Sequence, residues 1–178
     1  DSLVGLFAVD MVPNGTKDPF GLRRAAIGII QVLIEWKSDF NVLQGLNIAS
    51  KSLPLEIKAD QLRACSDFIK ARLVNYLLEK GFRYDVVAAI VAIQGDIPYH
   101  TFQAVQELTD WVRRPDWEKI LQAFSRCVRI TRDFPQRFIP NEALLEDEEE
   151  KQLYQAIQNA QAQVRKEGPG PVFLLGVE

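Results

Sequence analysis

The feature that most constrains this chain is a segment that joins a turn, a helix start and a long apolar run at residues 12–28. Its Pro-Asn-Gly run at 13–15 predicts a tight turn, because proline presets φ and Asn-Gly accepts positive φ. Asp18 and Pro19 then predict a helix start, with Asp18 as the N-cap and Pro19 at the first helical position. The helix should run from Pro19 to about Trp36.

The same predicted helix is apolar around most of its circumference. At about 100° per residue, its polar positions fall on one narrow stripe, made up of Arg24, Gly28, Gln31 and Glu35. A helix that is apolar on nearly every side is typical of a buried one. We therefore expect most of its surface to be covered.

Three cations lie at the start of this helix: Lys17, Arg23 and Arg24. Arginines in a first turn oppose the helix dipole, so the sequence should supply them with an anion. One candidate is a phosphate, held by the free N–H groups and the cations together. The other is an internal ion pair with Asp18, with Asp10 or with another domain. We favour the ion pair, because charge networks within proteins are commoner than ligand sites.

Composition and reactive residues argue against a catalytic centre. The 178 residues carry a formal net charge of −3, so any nucleic-acid contact must come from a local basic patch. Cys65 and Cys127 lie at apolar helical positions and are predicted to be reduced core thiols rather than a disulfide. The single histidine, His100, makes a metal centre or Ser-His chemistry unfavourable, and we expect it at the surface or in a cap. No nucleophile elbow or phosphate loop appears, so we predict no catalytic residue and no metal site.

The rest of the chain predicts helices, and the fold class is all-α. Apolar residues recur with helical spacing over 59–80, 99–114 and about 117–134, and 38–53 has room for one short helix. The run at 86–93 is rich in alanine, which favours a buried helix over a strand. A long helix should begin at Asn141 or Asp147 and end at Glu167, with Leu153, Ile157, Ala160 and Val164 facing inward. An irregular connection at 168–171 and an apolar tail at 172–177 should follow.

The predicted helix from Trp117 carries a basic surface. Lys119, Gln122, Arg126 and Arg129 lie within about 80° of one another, with Arg132 beside them. The opposite side should pack inward through Ile120, Leu121, Phe124 and Val128. Cations on a packed helix suit single-stranded RNA, and they equally suit an ordinary solvated face. Neighbouring residues favour RNA, and these are Arg113, Arg114, Trp111 and Trp117.

The acidic cluster at Glu142 and 146–150 stands where a helix should start. Negative charge stabilises a helix N-terminus, so we interpret the cluster as structural rather than as a metal site. No apolar run is long enough to cross a bilayer. We therefore predict no membrane association.

Two runs of sequence carry a family resemblance. Leu-Val-Gly-Leu-Phe at 3–7 and the segment at 13–28 resemble the β subunit of bacterial-type glycyl-tRNA synthetase. In that family a similar Lys-Asp-Pro-Phe-x-Leu-Arg-Arg-Ala-Ala run closes a domain like the His-Asp phosphohydrolases. Weaker similarity continues at 68–73, 81–86 and 123–126.

This resemblance implies an architecture and a function. Residues 1–53 would be the end of the His-Asp-like domain, 54–115 a connecting helical region, and 116–178 a partial anticodon-binding domain of the DALR type. The family forms a tetramer of two α and two β subunits, in which the α subunit holds glycine, ATP and Mg²⁺ and the β subunit binds tRNA. The implied partners are tRNA(Gly), the α subunit and the remainder of the β subunit, with no cofactor in this segment. The implied compartment is the bacterial cytoplasm or an organelle stroma or matrix.

The resemblance is looser in the basic helix. The family often reads Lys-Arg-Val-x-Asn-Ile there, and this chain has Ser-Arg-Cys-Val-Arg-Ile at 125–130. Arg126 and Ile130 match, whereas Ser125, Cys127 and Arg129 depart. The similarity ends after Gly168, so we expect a fragment or a truncated product. The alternative to a tRNA-binding role is a non-catalytic helical scaffold that contacts only protein.

Overall fold

A computed structural model describes residues 1–134, 136 and 139–167, with side chains described through residue 162. Apart from one isolated backbone bridge, the regular structure within these ranges is helical, which confirms the all-α prediction. A single 3-10 turn, Glu142–Leu144, precedes the last helix. The α-helices are α1 (Ser2–Ala8), α2 (Leu22–Glu35), α3 (Val42–Lys51), α4 (Ala59–Glu79), α5 (Tyr84–Gln94), α6 (Pro98–Val112), α7 (Trp117–Thr131) and α8 (Glu148–Glu167).

The chain forms two compact units, Asp1–Asp110 and Trp111–Glu178. In the first unit α4 is central and packs against α1, α2, α3 and α5. Its buried face repeats with helical spacing, as the sequence predicted, through Cys65, Ile69, Leu73 and Leu77. The assignment of 1–53, 54–115 and 116–178 to particular domain types stays a prediction.

The turn before α2 is the one that the sequence predicts, but the helix begins later than expected. Asn14 and Lys17 exchange backbone hydrogen bonds of 3.0 and 3.2 Å across the turn. The predicted start at Pro19 is wrong, because residues 18–21 form a second turn that ends at Gly21 with a left-handed φ of 66°. The Asp18 carboxylate still caps the helix, accepting from the backbone N–H groups of Leu22 and Arg23 at 2.8 and 3.0 Å.

The surface of α2 is less covered than its apolar sequence predicts. The buried residues form a single stripe, Leu22, Ala26, Ile30 and Ile34. Ile29 and Val32, on another side of the helix, are exposed. The prediction of burial around most of the helix is wrong, since α1 and α4 pack against one side of it.

Helices α2 and α4 end in the same way, with a left-handed residue followed by a backbone N–H that donates to the carbonyl five residues earlier. The left-handed residue differs between the two ends. Gly81 follows α4 with φ of 90°, and Phe82 N–H donates to Leu77 O. After α2 the left-handed residue is Lys37, with φ of 53°. Lysine at such a position carries a steric cost that glycine avoids.

In the second unit the predicted inward faces are exposed. Among the described side chains α7 has no buried residue; Leu121, Phe124 and Val128 are all exposed. In α8, Leu153 and Ile157 are exposed as well. The prediction that these residues face inward is therefore wrong. Helical spacing of apolar residues identifies an apolar face, but it does not show that another element packs on that face. The side chain of Val164 and residues 168–178 lie outside the described part of the chain.

The two cysteines are both free, as predicted, but they differ in burial. Cys65 lies in the core on α4, and burial raises the pKa of its thiol to about 11. Cys127 is exposed on α7, so its prediction as a core thiol is wrong.

Candidate nucleic-acid interface

Helix α7 presents its cations and its apolar residues on opposite sides. The helix follows Asp116 and is continuous to Thr131, about four turns. The angular positions predicted from the sequence therefore apply along its whole length. Lys119, Arg126 and Arg129 all point away from the apolar side and are exposed. The sequence therefore predicted the basic side correctly, and its residues do come together.

The cations border an open surface depression along α7 of about 970 Å³. Its lining includes Lys119, Gln122, Arg126, Arg129 and Arg132. Since every lining residue belongs to one helix or the position just after it, this is a surface between long side chains and not an enclosed cavity. Such a surface suits a strand that lies along the helix better than it suits a small molecule.

The positive charge of this surface is not neutralised within the described residues. No carboxylate among them lies within 4.0 Å of the charged atoms of Lys119, Arg126, Arg129 or Arg132. Negatively charged phosphates are therefore free to approach these four cations. We call them the α7 cations below.

Arg114 behaves differently from the α7 cations. Its Nε and Nη2 donate to the two carboxylate oxygens of Asp116 at 2.9 and 2.8 Å, and its guanidinium stands 4.9 Å from the ring centre of Trp111. These hydrogen bonds raise the pKa of Arg114 and lower that of Asp116. Arg113 is exposed in the same turn. Arg114 is thus already engaged by a carboxylate.

The pairing of Arg114 with Asp116 was not predicted, although the sequence carries a signal for it. Arg114 and Asp116 are separated by one residue immediately before a helix. Arg83 and Asp85 repeat the same spacing at the start of α5, with hydrogen bonds of 3.1 and 2.6 Å. An Arg-x-Asp pattern at a helix start could therefore have predicted both pairs.

The cations before and within α2 make contacts to the backbone or to solvent within the described residues. Arg23 donates to the backbone carbonyl of Gly15, and Arg24 folds back over Gly21. Lys17 is exposed, and Asp18 is occupied in capping α2. The described residues thus hold no ion pair to Lys17, Arg23 or Arg24. The phosphate and ion-pair interpretations both stay predictions.

His100 and Asp39 form a long-range contact that the sequence did not indicate. His100 Nε2 lies 2.7 Å from Asp39 Oδ1, joining the first turn of α6 to the loop before α3. The pair holds two elements of the first unit together, so His100 has a structural role here. Its expected position at the surface is consistent with its partial exposure.

None of the helices in the described ranges combines the length and the apolar composition that a bilayer-spanning segment needs. In those same ranges no three His, Cys, Asp or Glu side chains are grouped as a metal ion would require.

Comparison with known proteins places these features in a family. Residues 1–92 match the family described as glycyl-tRNA synthetase beta subunit. The chain is 35% identical to a glycine–tRNA ligase beta subunit from Desulfatibacillum aliphaticivorans, over 92% of this chain and 25% of that protein. It is 32% identical to the one from Pseudomonas aeruginosa, over 92% of this chain and 24% of the relative.

A third relative comes from a plant. The chain is 33% identical to the chloroplastic/mitochondrial glycine–tRNA ligase 2 of Arabidopsis thaliana, over 74% of this chain and 12% of that protein. The chain spans about a quarter of the length of the bacterial relatives that it matches. By its sequence, this chain belongs to the glycyl-tRNA synthetase β-subunit family.

Proposed function

We propose that this chain provides a tRNA-binding surface to a glycine–tRNA ligase, and that the α7 cations form it. The observation that carries the proposal is the set of four cations on α7, exposed and without carboxylate partners in the described residues. Cations that follow one another along a helix at spacings of one to two turns can each contact a different phosphate of one strand. The α7 surface then contributes affinity rather than base recognition.

Catalysis belongs elsewhere in this proposal. Glycine and ATP with Mg²⁺ are held by the α subunit, and this chain supplies no catalytic residue and no cofactor site. Its partners are tRNA(Gly), the α subunit and the remaining part of a β subunit. Relatives from bacteria and from a plant organelle support the bacterial cytoplasm or an organelle stroma or matrix as the compartment.

The test is charge reversal on α7. The double variant Arg126→Glu, Arg129→Glu removes two phosphate contacts, so tRNA(Gly) should bind roughly tenfold more weakly at low salt. The slope of log affinity against log salt should also fall by about 1.4 to 1.8, since each lost contact removes about 0.7 to 0.9. Filter binding by the full chain, with and without the α subunit, at a series of KCl concentrations measures both quantities.

A matched control reverses two exposed cations of the first unit. Lys51→Glu, Arg63→Glu changes the net charge by the same amount, at two exposed positions that are not part of α7. It should leave the salt slope unchanged. Equal losses in the two double variants would mean that only net charge matters, and this would refute the α7 surface.

The scaffold alternative is favoured by one observation, the exposed apolar side of α7. Phe124 is 65% exposed and Leu121 is 45% exposed, and a large exposed apolar face is typical of a protein contact. The variant Phe124→Ser, Val128→Ser separates the two functions, because neither residue lines the depression beside the α7 cations. Loss of binding to the α subunit, with tRNA affinity retained by the chain, would assign this side of α7 to protein assembly.

A further inference from the structure

A second candidate site lies in the first unit, between the C-terminal halves of α2 and α4. Two adjoining openings of about 350 and 320 Å³ share Gln31, Tyr76 and Lys80 in their linings. Val32, Glu35 and Trp36 complete the first opening. We call this combined feature the α2–α4 cleft. Both openings are broadly open to solvent, so they suit a flat group lying on their surface rather than an enclosed small molecule.

Trp36 is the most unusual residue of the cleft. Its side chain is 80% exposed, although tryptophan is among the most apolar side chains. The backbone beside it is held by hydrogen bonds from Lys37 N–H to Ile34 O at 3.1 Å and from Ser38 N–H to Leu33 O at 2.9 Å. The ring is therefore presented from a fixed backbone, which lowers the entropic cost of binding a flat partner.

Tyr76 and Lys80 form the facing side. Lys80 Nζ lies 5.3 Å from the centre of the Tyr76 ring, a cation–π contact within one turn of α4. Tyr76 is half-buried, so one part of its ring faces the cleft while the rest packs against the unit. The cleft thus carries two aromatic surfaces and one cation.

Two carboxylates line the cleft. Glu35 lines the first opening and Glu79 the second. Within the described part of the chain neither forms an ion pair, so both carboxylates can accept hydrogen bonds from a ligand. With two carboxylates and one ammonium group, the lining disfavours a ligand held mainly by its phosphates.

We propose that the α2–α4 cleft binds an unpaired guanine base of RNA, stacked on Trp36. Guanine presents N1–H and N2–H₂ side by side, and one carboxylate accepts from both. Adenine and cytosine offer a single amino group on the corresponding edge, and uracil offers a single N–H. Unpaired bases in RNA are recognised by this combination of stacking and edge hydrogen bonds. The choice of RNA rests on the proposed function, whereas the site is separate from the α7 cations.

The test uses Trp36 as its own reporter. The chain has three tryptophans, so Trp111→Phe, Trp117→Phe leaves Trp36 as the single indole fluorophore. The probe is a short oligouridine carrying one central guanine, compared with the same oligomer carrying adenine, cytosine or uridine there. Stacking should quench the Trp36 fluorescence saturably, with the guanine probe binding about tenfold more tightly than the others. Added salt should change this binding little, because phosphate contacts contribute little.

Carboxylate variants test the edge contacts. Glu35→Gln and Glu79→Gln should each be measured, and at least one should reduce guanine binding to the level of the uridine probe. Glu56→Gln is the control, since Glu56 is exposed near the opposite end of α4. Circular dichroism checks that every variant keeps its helices, which is expected at exposed positions.

Other outcomes overturn the proposal or separate it from the proposed function. Equal quenching by all four probes, or no quenching, would refute a guanine site. Protection of Trp36 from acrylamide by the α subunit without RNA would show that protein covers the ring, and this would refute it as well. The Arg126→Glu, Arg129→Glu variant should retain guanine-specific quenching while losing tRNA affinity. The quenching therefore tests the α2–α4 cleft alone, and the tRNA affinity tests the α7 cations alone.

Discussion

The guanidinium of Arg114 and the carboxylate of Asp116 are joined by two hydrogen bonds of 2.9 and 2.8 Å, in the turn before α7. This parallel geometry is the strongest that arginine forms with a carboxylate. It occupies the Nε and Nη2 side of the guanidinium and brings a negative charge against it, which disfavours the approach of a phosphate. An arginine predicted to bind RNA is therefore held by its own chain.

Removing the carboxylate should release Arg114 for a phosphate. The variant Asp116→Asn is expected to bind tRNA(Gly) more tightly, with a salt slope steeper by about 0.7 to 0.9, the value of one additional phosphate contact. Filter binding at several KCl concentrations measures the change. An unaltered slope would show that Arg114 does not face the bound tRNA.

The first unit supplies a matched control for this variant. Asp85 accepts two hydrogen bonds from Arg83 at 3.1 and 2.6 Å, and these lower the pKa of Asp85. Asp85→Asn removes the same charge from the same kind of pair, at the start of α5 in the first unit. It should leave tRNA affinity and its salt slope unchanged.

The two thiols should react at very different rates. Because burial raises the pKa of Cys65 to about 11, its reactive thiolate forms only as the pH approaches that value, and the side chain is also shielded from reagents. Cys127 is exposed. Titration with a chromophoric disulfide at pH 8 should find one fast thiol in the native chain and two in denaturant. Cys127→Ser should abolish the fast phase; a fast phase that survives would place Cys65 at the surface.

Core and surface leucines should differ in their effect on stability. Leu73 is fully buried at the centre of α4, so Leu73→Ala is expected to lower the free energy of unfolding by about 2 to 5 kcal/mol. Leu121 is 45% exposed on α7. Leu121→Ala should therefore change the free energy of unfolding by less than about 0.5 kcal/mol. Urea denaturation followed by circular dichroism measures both. A large loss in Leu121→Ala would show that its side chain is covered in solution.

The end of α2 should be stabilised by glycine. Lys37 has φ of 53°, a conformation that costs an L-residue about 1 kcal/mol. Glycine avoids this steric cost, and its larger loss of entropy on folding offsets part of the gain. Lys37→Gly should therefore raise the free energy of unfolding by about 0.5 kcal/mol. Lys51→Gly, at the last residue of α3, is the control and should lower it by roughly 0.5 to 1 kcal/mol. A stability loss in Lys37→Gly would contradict the left-handed geometry.

The positions of most helices could be predicted from the sequence because their signals are local. Gly81 ends α4 by adopting positive φ, and Asp18 accepts hydrogen bonds at the start of α2 even though that helix begins three residues later than predicted. The alanine-rich run at 84–94 forms a helix rather than a strand. Each of these outcomes depends on residues within a few positions of one another, so the sequence pattern contains what is needed.

Which surfaces are covered was decided only by the tertiary structure. The apolar residues of α2 form several stripes, and only the one through Ile30 is buried, because α4 packs there. The cleft beside Trp36 depends on Tyr76 and Lys80, which meet it only because α2 packs against α4. The sequence by itself determined the helices, the basic side of α7 and the family. Burial and long-range contacts depend on which elements meet in space, and periodicity along one helix carries no information about its neighbours.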